Sequence, residues 1–123
     1  MFLPTLDLEA TTAFYQDKLG LPLVLDQGAC RVFKANGSAF FGFCTHLQPL
    51  SEPESVILTL VTDDPDAWHR YCVRAGIATD GPSRTNEKFG IRHFFAKDPN
   101  GYRIEFQRFL NPNWSQPACA PGS

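Results

Sequence analysis

Glu105, a carboxylate near the end of the chain, lies in a segment whose side chains alternate between polar and apolar. Successive side chains of an extended strand point to opposite faces, so Arg103, Glu105 and Gln107 share one face. The apolar residues between them suit packing beneath a helix, which leaves the polar set on the open face of a sheet. Two interpretations of Glu105 stay open. It forms an ion pair with Arg103 or Arg92, or it binds a cationic ligand or acts as a base.

Three histidines and four cysteines supply the imidazole and thiol groups that metal sites and acid–base chemistry use. His93 is either a general acid/base or a hydrogen-bonding wall residue, and we favour the wall because no nucleophile accompanies it. His46 and His69 are expected at the surface. No two cysteines form a C-x-x-C pair, so the sequence contains neither a zinc-binding nor a redox motif of that type. We therefore expect mostly reduced thiols. The cysteines are Cys30, Cys44, Cys72 and Cys119.

Eleven phenylalanines, most of them in strand-forming segments, are more than two helices can cover. Alternation places Phe41 and Phe43 on one face of their strand and Phe40 on the other. About half of the rings should form a core under the helices. The remainder should line a concave face and offer a flat apolar surface to an aromatic or amphipathic ligand. Phe41, Phe43 and Phe95 are the expected members of that surface.

Cap and turn signals divide the chain into the elements that must position these groups. Asp7 begins a helix that runs to Leu19 and ends at Gly20. Asp64, followed by proline, begins a second helix that ends at Gly76. Strands are predicted at 2–6, 21–26, 29–34, 38–44, 55–62, 77–79, 89–97 and 102–109. The order β-α-β-β-β therefore occurs twice.

A shift of 56 positions aligns similar residues of the two halves, which indicates an internal duplication. The aligned pairs are Asp7 with Asp63, Tyr15 with Tyr71, Lys18 with Arg74, Gly20 with Gly76 and Leu21 with Ile77. The predicted fold is α+β, with two βαβββ repeats forming curved mixed sheets that carry helices on the outer face. One domain should span 1–110, with repeats at about 1–50 and 55–110, and a flexible tail should span 111–123.

Composition and charge exclude several classes of partner. A formal net charge of −2 gives no basic surface for nucleic acid. No apolar run approaches the roughly 20 residues of a membrane helix, and the N-terminus lacks the features of a secretory signal. A cytoplasmic protein with no membrane partner is therefore expected. No G-x-G-x-x-G, P-loop, G-x-S-x-G or H-E-x-x-H motif occurs in the chain.

Two parts of the sequence carry paired motifs in the same order and separation as a known family. They are Leu6-Asp7-Leu8-Glu9, Ala13-Phe14-Tyr15 and Lys18-Leu19-Gly20-Leu21-Pro22-Leu23 in the first half, and Phe94-Phe95-Ala96-Lys97-Asp98-Pro99-Asn100-Gly101-Tyr102-Arg103-Ile104-Glu105-Phe106 in the second. The chain resembles the glyoxalase/bleomycin-resistance/extradiol-dioxygenase family, the vicinal oxygen chelate superfamily. The resemblance implies a cavity, shared by His93 and Phe95, and a homodimer. It does not fix the activity, because the family includes lyases, isomerases, dioxygenases, thiol transferases and drug-binding proteins.

The same resemblance implies a divalent metal, held by His or Gln in the first strand of each half and by Glu in the last strand. Glu105 matches the last position. The first position falls at or before Met1, and the fifth-strand position falls on Ser55 or Ile57, neither of which is a credible ligand. One ligand of about three or four is not a site, so we expect no family-type metal and no cofactor.

The expected function is that of a small-molecule-binding protein of the bleomycin-resistance-like type. It would sequester an aromatic or partly cationic ligand in a Phe-lined cavity. The expected ligand-binding residues are Phe41, Phe43, His93, Phe95, Arg103 and Glu105. The alternative is a metal-dependent lyase, isomerase or dioxygenase with a non-standard ligand set such as His46, His93 and Glu105. A third interpretation is a module for dimerisation or regulation of another protein.

Overall fold

The computed structural model describes residues 1–111, which form two compact units. Unit 1 consists of Met1–Val56 and Asp98–Tyr102, and unit 2 consists of Ile57–Lys97 and the described residues from Arg103 onward. Each unit holds a four-stranded mixed sheet, and the repeated order β-α-β-β-β confirms the predicted α+β fold with two βαβββ repeats. The tail predicted at 111–123 lies, apart from Asn111, outside the described residues.

Unit 1 contains the first repeat. Its elements are β1 (Phe2–Pro4), α1 (Leu8–Thr12), a π-helical segment (Ala13–Lys18), β2 (Leu23–Asp26), β3 (Cys30–Asn36), β4 (Ala39–Cys44) and a 3₁₀ turn (Pro53–Ser55). The strand order is β1-β4-β3-β2, with β1 parallel to β4 and the other pairs antiparallel. Short turns between these strands therefore join β2, β3 and β4 as successive antiparallel hairpins.

The first helix is not the single regular helix that its cap and stop signals predict. The side chain of Asp7 accepts a hydrogen bond from the Ala10 amide, as expected, but the helix widens after Thr12 into the π-helical segment. The cap of the second helix is Asp64, as predicted, whereas the shift of 56 positions aligns Asp7 with Asp63. From capping aspartate to terminal glycine, the first helix is thus one residue longer than the second. A π turn absorbs one extra residue, so the repeats differ in register by one position at their helix starts.

Aromatic rings fill the core of unit 1. Tyr15 is 1% exposed, and Phe33 and Phe43 are fully buried. The Tyr15 ring stacks on Phe43 with centroids 4.8 Å apart and meets Phe41 edge-on at 5.3 Å. Phe40, on the opposite face of β4, is half exposed, so the predicted alternation is confirmed. Phe41 and Phe43, however, pack under the helix and do not form an open surface.

The turn at 98–101 contributes buried polar groups to the same unit. The Tyr15 hydroxyl donates to Asp98 Oδ2 at 2.7 Å, and the Tyr102 hydroxyl donates to the Pro4 carbonyl. Burial raises the pKa of Asp98, although donated bonds from Tyr15, Asn100 and Tyr102 oppose that shift. The turn that joins two strands of the second repeat is therefore held by residues of the first.

Unit 2 contains the rest of the second repeat. Its elements are β5 (Ile57–Val61), α2 (Pro65–Ala75), β6 (Arg84–Asn86), β7 (Ile91–Lys97) and β8 (Arg103–Phe109). The order is β5-β8-β7-β6, with β5 parallel to β8. The strand predicted at 77–79 is wrong: Ile77 is a buried residue after the helix, and Thr79 makes only an isolated bridge to Ala96.

One face of the unit 2 sheet packs against α2. Phe94 and Phe106 stack with centroids 4.9 Å apart, and Trp68 of α2 stacks on Phe106 at 4.8 Å. Cys72 of α2 is fully buried, and burial raises the pKa of its thiol to about 11. Trp68 therefore makes a contact between α2 and the sheet. Along the described part of the chain, no helix is long and apolar enough to cross a bilayer.

Candidate functional site

The face of the unit 2 sheet opposite α2 collects polar groups from neighbouring strands. Glu105 of β8 is the register partner of Thr59 in β5 and of Phe95 in β7. Gln107, the next residue of β8 on that face, pairs with His93 in β7. Since directly opposite side chains lie on the same face of a sheet, these five residues form one cluster. The alternation of β8 predicts this face correctly.

The Glu105 carboxylate accepts three hydrogen bonds in this cluster. Its Oε2 lies 2.7 Å from His93 Nδ1 and 2.9 Å from Gln107 Nε2, and its Oε1 accepts from Thr59 Oγ1 at 3.0 Å. Glu105 and His93 are each 8% exposed. An ionised carboxylate only accepts, so beside ionised Glu105 the shared proton lies on His93 Nδ1, and within residues 1–111 the His93 Nε2 has no hydrogen-bond partner. The expected ion pair of Glu105 with Arg92 is not formed.

Arg92 instead contacts the helix side of unit 2. Its guanidinium lies 3.0 Å from Asp66 Oδ1, and Ser83 also donates to that carboxylate. The hydrogen bonds from Arg92 and Ser83 hold the pKa of Asp66 below its usual value. Arg92 and His93 are consecutive in β7, so their side chains leave opposite faces of the sheet. That alternation removes Arg92 from the Glu105 cluster.

Phe95 is the aromatic member of the cluster. The guanidinium carbon of Arg103 lies 5.0 Å from the Phe95 ring centroid, that of Arg84 lies 6.0 Å from it, and His93 meets it edge-on at 5.3 Å. Arg84 is itself held by Asp80 through contacts of 2.6 and 3.0 Å. Burial raises the pKa of Asp80, but the bonds from Arg84 and the Phe95 amide outweigh it, so the net shift is downward.

Four of the six predicted ligand-binding residues come together in unit 2. They are His93, Phe95, Arg103 and Glu105. The other two, Phe41 and Phe43, lie in the buried core of unit 1. Sequence reasoning missed Thr59 and Arg84. Thr59 is the polar position of an otherwise aliphatic strand, a signal that could have found it, whereas nothing marked the short polar strand that carries Arg84.

The donor set around Glu105 does not fit a family-type divalent metal. Among residues 1–111, the three metal-type ligands that converge are Cys30, Cys44 and His46, and no third imidazole, thiol or carboxylate joins Glu105 and His93. His46, the proposed third member of the non-standard set, lies instead 3.7 Å from the Cys30 sulfur. A divalent metal needs about three or four such ligands. Glu105 and His93 therefore supply too few ligands for such a metal.

A concavity also lies in unit 1, and none of the predicted ligand-binding residues lines it. It encloses about 390 Å³ and is lined mainly by apolar side chains, among them Pro4, Leu6, Pro49, Leu50, Pro53 and Tyr102. It contains no histidine or cysteine, and Asp7, its one acidic residue, caps α1. The two candidate clusters of reactive side chains are therefore His93 with Glu105 on the unit 2 sheet, and Cys30, Cys44 and His46 in unit 1.

Comparison with known proteins identifies relatives by family and by fold. The family model for the Glyoxalase/Bleomycin resistance protein/Dioxygenase superfamily matches residues 1–106. A glyoxalase/bleomycin resistance protein/dioxygenase from Nocardioides is 22% identical with a TM-score of 0.75, over 91% of this chain and 82% of that one. Among curated proteins, no match was found.

Two further solved structures share this fold. A lactoylglutathione lyase from Agrobacterium tumefaciens is 21% identical with a TM-score of 0.70, over 88% of this chain and 90% of that one. A virulence protein from Salmonella typhimurium is 22% identical with a TM-score of 0.68, over 88% of this chain and 92% of that one. Identities this low carry the fold and not the activity.

Proposed function

The chain belongs to the glyoxalase/bleomycin resistance protein/dioxygenase superfamily, and from that premise we propose that it binds and sequesters a small aromatic molecule on the face of the unit 2 sheet opposite α2. The observation that carries the proposal is the cluster of Phe95, His93, Glu105 and Arg103 on adjacent strands. Such a cluster combines an apolar ring with a few fixed polar groups, which is the usual composition of a small-molecule site.

Phe95 and the guanidinium groups beside it supply the flat part of the site. Arg103 lies 5.0 Å from the ring centroid of Phe95. A planar aromatic group stacks favourably on a phenyl ring and on a guanidinium plane. The same geometry suits an aromatic ligand better than an aliphatic one.

His93 and Glu105 supply the polar part. Because Glu105 already accepts from His93, Gln107 and Thr59, a cationic ligand group must replace one of these donors to reach the carboxylate. His93 Nε2, in contrast, can accept from a ligand hydroxyl or amide without breaking a bond. The polar contact of the ligand is therefore to His93, with a cationic group as the less favoured case.

The proposal includes a homodimer in the cytoplasm, with no nucleic-acid or membrane partner. Resemblance to single-domain members of the family, which complete their cavities with a partner's strands, supports the dimer. The net charge of −2 supports the absence of a nucleic-acid partner. Light scattering across a concentration series tests the dimer directly: a mass that stays at 13.7 kDa throughout contradicts it.

A matched series of naphthyl compounds tests ligand binding. 2-Naphthol, 2-naphthoate and 2-naphthylmethylamine share one ring system and differ in charge, so calorimetry with all three separates aromatic stacking from charge recognition. Phe95→Leu should weaken binding about five- to tenfold. Phe89→Leu is the control, because Phe89 is a largely exposed phenylalanine of the same unit. The proposal fails if no compound of the series binds or if both variants weaken binding equally.

The enzyme alternative is tested separately. It requires a metal that depends on Glu105, so Mn²⁺, Ni²⁺ and Fe²⁺ titrations are made on the oxidised chain, in which Cys30 and Cys44 are joined in a disulfide and His46 is retained. Stoichiometric binding that Glu105→Ala abolishes would favour a metal-dependent lyase, isomerase or dioxygenase. Weak binding that is unchanged by Glu105→Ala supports sequestration.

A further inference from the structure

Two cysteines and one histidine converge at one end of the β3–β4 hairpin in unit 1. Cys30 begins β3 and Cys44 ends β4, and the two are register partners with Cα atoms 4.2 Å apart. Their sulfurs are joined in a disulfide, which corrects the expectation of reduced thiols for this pair. Just beyond it, the Thr45 amide donates to the Ala29 carbonyl at 2.9 Å, so the two segments of the hairpin remain paired past the cysteines.

His46 completes the cluster. It follows Cys44 by two residues, and its Nδ1 lies 3.7 Å from the Cys30 sulfur. The two sulfurs and one imidazole nitrogen all lie within 4.8 Å of one another. In a tetrahedral zinc site with bonds of about 2.0–2.3 Å, neighbouring ligand atoms are about 3.5 Å apart. The separation of His46 and Cys30 is close to that edge length before any metal binds.

We propose that reduction of the Cys30–Cys44 disulfide opens a Cys₂His site for Zn²⁺ or another thiophilic divalent cation. The disulfide and the metal use the same two sulfurs, so the two states exclude each other. The site therefore takes up metal only under reducing conditions and releases it on oxidation. The site lies in unit 1, whereas the proposed aromatic site lies in unit 2.

The chemistry balances with a dithiol as the reductant. The dithiol gives two electrons and two protons to the Cys30–Cys44 bond, yielding two protein thiols while the reductant becomes a disulfide. Zn²⁺ then binds two thiolates and neutral His46 Nδ1, and two protons are released to solvent. Water takes the fourth position. Thiolate and imidazole are the ligands that zinc prefers over the oxygen donors that suit Mg²⁺ or Ca²⁺.

The other two cysteines, Cys72 and Cys119, are not ligands of the proposed site. Cys72, a residue of α2, is fully buried, and burial raises the pKa of its thiol to about 11, so it stays protonated. Cys119 lies outside the described residues. Every measurement is therefore made on the full chain and repeated in a Cys119→Ser background.

Cobalt is the probe, because Co²⁺ occupies zinc sites and reports its ligands in the visible spectrum. Reduced protein, freed of reductant without oxygen, should bind one Co²⁺ per chain with a thiolate-to-cobalt charge-transfer band and intense tetrahedral bands. Added Zn²⁺ should bleach both. Oxidised protein should show neither band. The same result in the Cys119→Ser background assigns the thiolates to Cys30 and Cys44.

Variants separate this site from adventitious binding. His46→Ala should weaken Co²⁺ affinity at least about tenfold, and because His46 is exposed, its replacement leaves the fold intact. His69→Ala is the control, since His69 lies on α2 in unit 2. Cys30→Ser/Cys44→Ser should abolish the charge-transfer band. The proposal is overturned if reduced protein shows no charge-transfer band, or if His46→Ala and His69→Ala bind Co²⁺ equally well.

Discussion

At the scale of single residues, the unit 2 site depends on one carboxylate that satisfies three donors. Replacing Glu105 with Gln leaves one acceptor oxygen for His93 and Gln107 and turns the other into an amide group that can donate to the Thr59 hydroxyl. The bonds from His93 and Gln107 then end on a neutral acceptor, and loss of the charged acceptor costs about 1–3 kcal/mol. We expect Glu105→Gln to lower the free energy of unfolding by about that amount in urea denaturation.

Thr59→Val is the matched control for that substitution. It removes one donor but keeps the shape of the side chain and leaves the bonds from His93 and Gln107 in place. The expected loss is smaller than for Glu105→Gln. Equal losses for the two variants would show that the carboxylate is not the centre of the cluster.

Asp98 gives a pH-dependent prediction. Burial raises its folded-state pKa above the usual 3.8, so the folded state holds this proton more tightly than the unfolded state does. Its contribution to stability is fully present below that value and is lost as pH rises through the raised pKa. The stability of the natural chain relative to Asp98→Asn should therefore fall from pH 3.8 upward and then become flat. A relative stability that rises over this window would contradict the prediction.

At the scale of elements, the sequence predicts what local chemistry controls. The capped start and glycine end of each helix, and the alternation of Arg103, Glu105 and Gln107, follow from side-chain periods and backbone conformation. The π-helical segment is not predictable in this way, because a helix widened by one residue leaves no signature in the types or spacing of its side chains.

Strand prediction is likewise limited to what local sequence patterns determine. Ile77 is apolar and buried, so it resembles a strand residue, whereas β6 (Arg84–Asn86) is a polar edge strand with no apolar face. Likewise, the alternation of β4 places Phe41 and Phe43 on one face, but which face meets the helix depends on tertiary packing around Tyr15. The Cys30–Cys44 pairing depends on strand register, which spacing alone does not supply.

The C-terminus of α2 gives an element-scale prediction. Gly76 ends the helix with φ of 73°, a left-handed conformation, and an added Cβ would meet nothing within 4 Å. The cost of Gly76→Ala is therefore backbone strain alone, about 1–2 kcal/mol in thermal or urea unfolding. Gly76→Asn should cost less, because asparagine tolerates this conformation. An asparagine variant that is no more stable than the alanine variant would contradict this account.

At the scale of the whole molecule, the boundary between the two sequence repeats does not coincide with the boundary between the two folded units. Unit 1 requires Asp98–Tyr102, which is inserted between β7 and β8. We expect a 1–56 fragment to remain unfolded alone, since Tyr15 and the Pro4 carbonyl lose their partners. Adding the 57–123 fragment should restore a dispersed amide NMR spectrum. A folded 1–56 fragment would contradict this prediction.

That insertion also bears on how such a chain can evolve. A duplicated half-domain begins as a spare copy that can be lost without harm. Once the loop of the second copy supplies Asp98 and Tyr102 to the buried core of the first, deleting either copy leaves polar groups of the survivor unpaired. The two halves that the 56-position shift relates can therefore drift apart in sequence while each still depends on the other for buried hydrogen bonds.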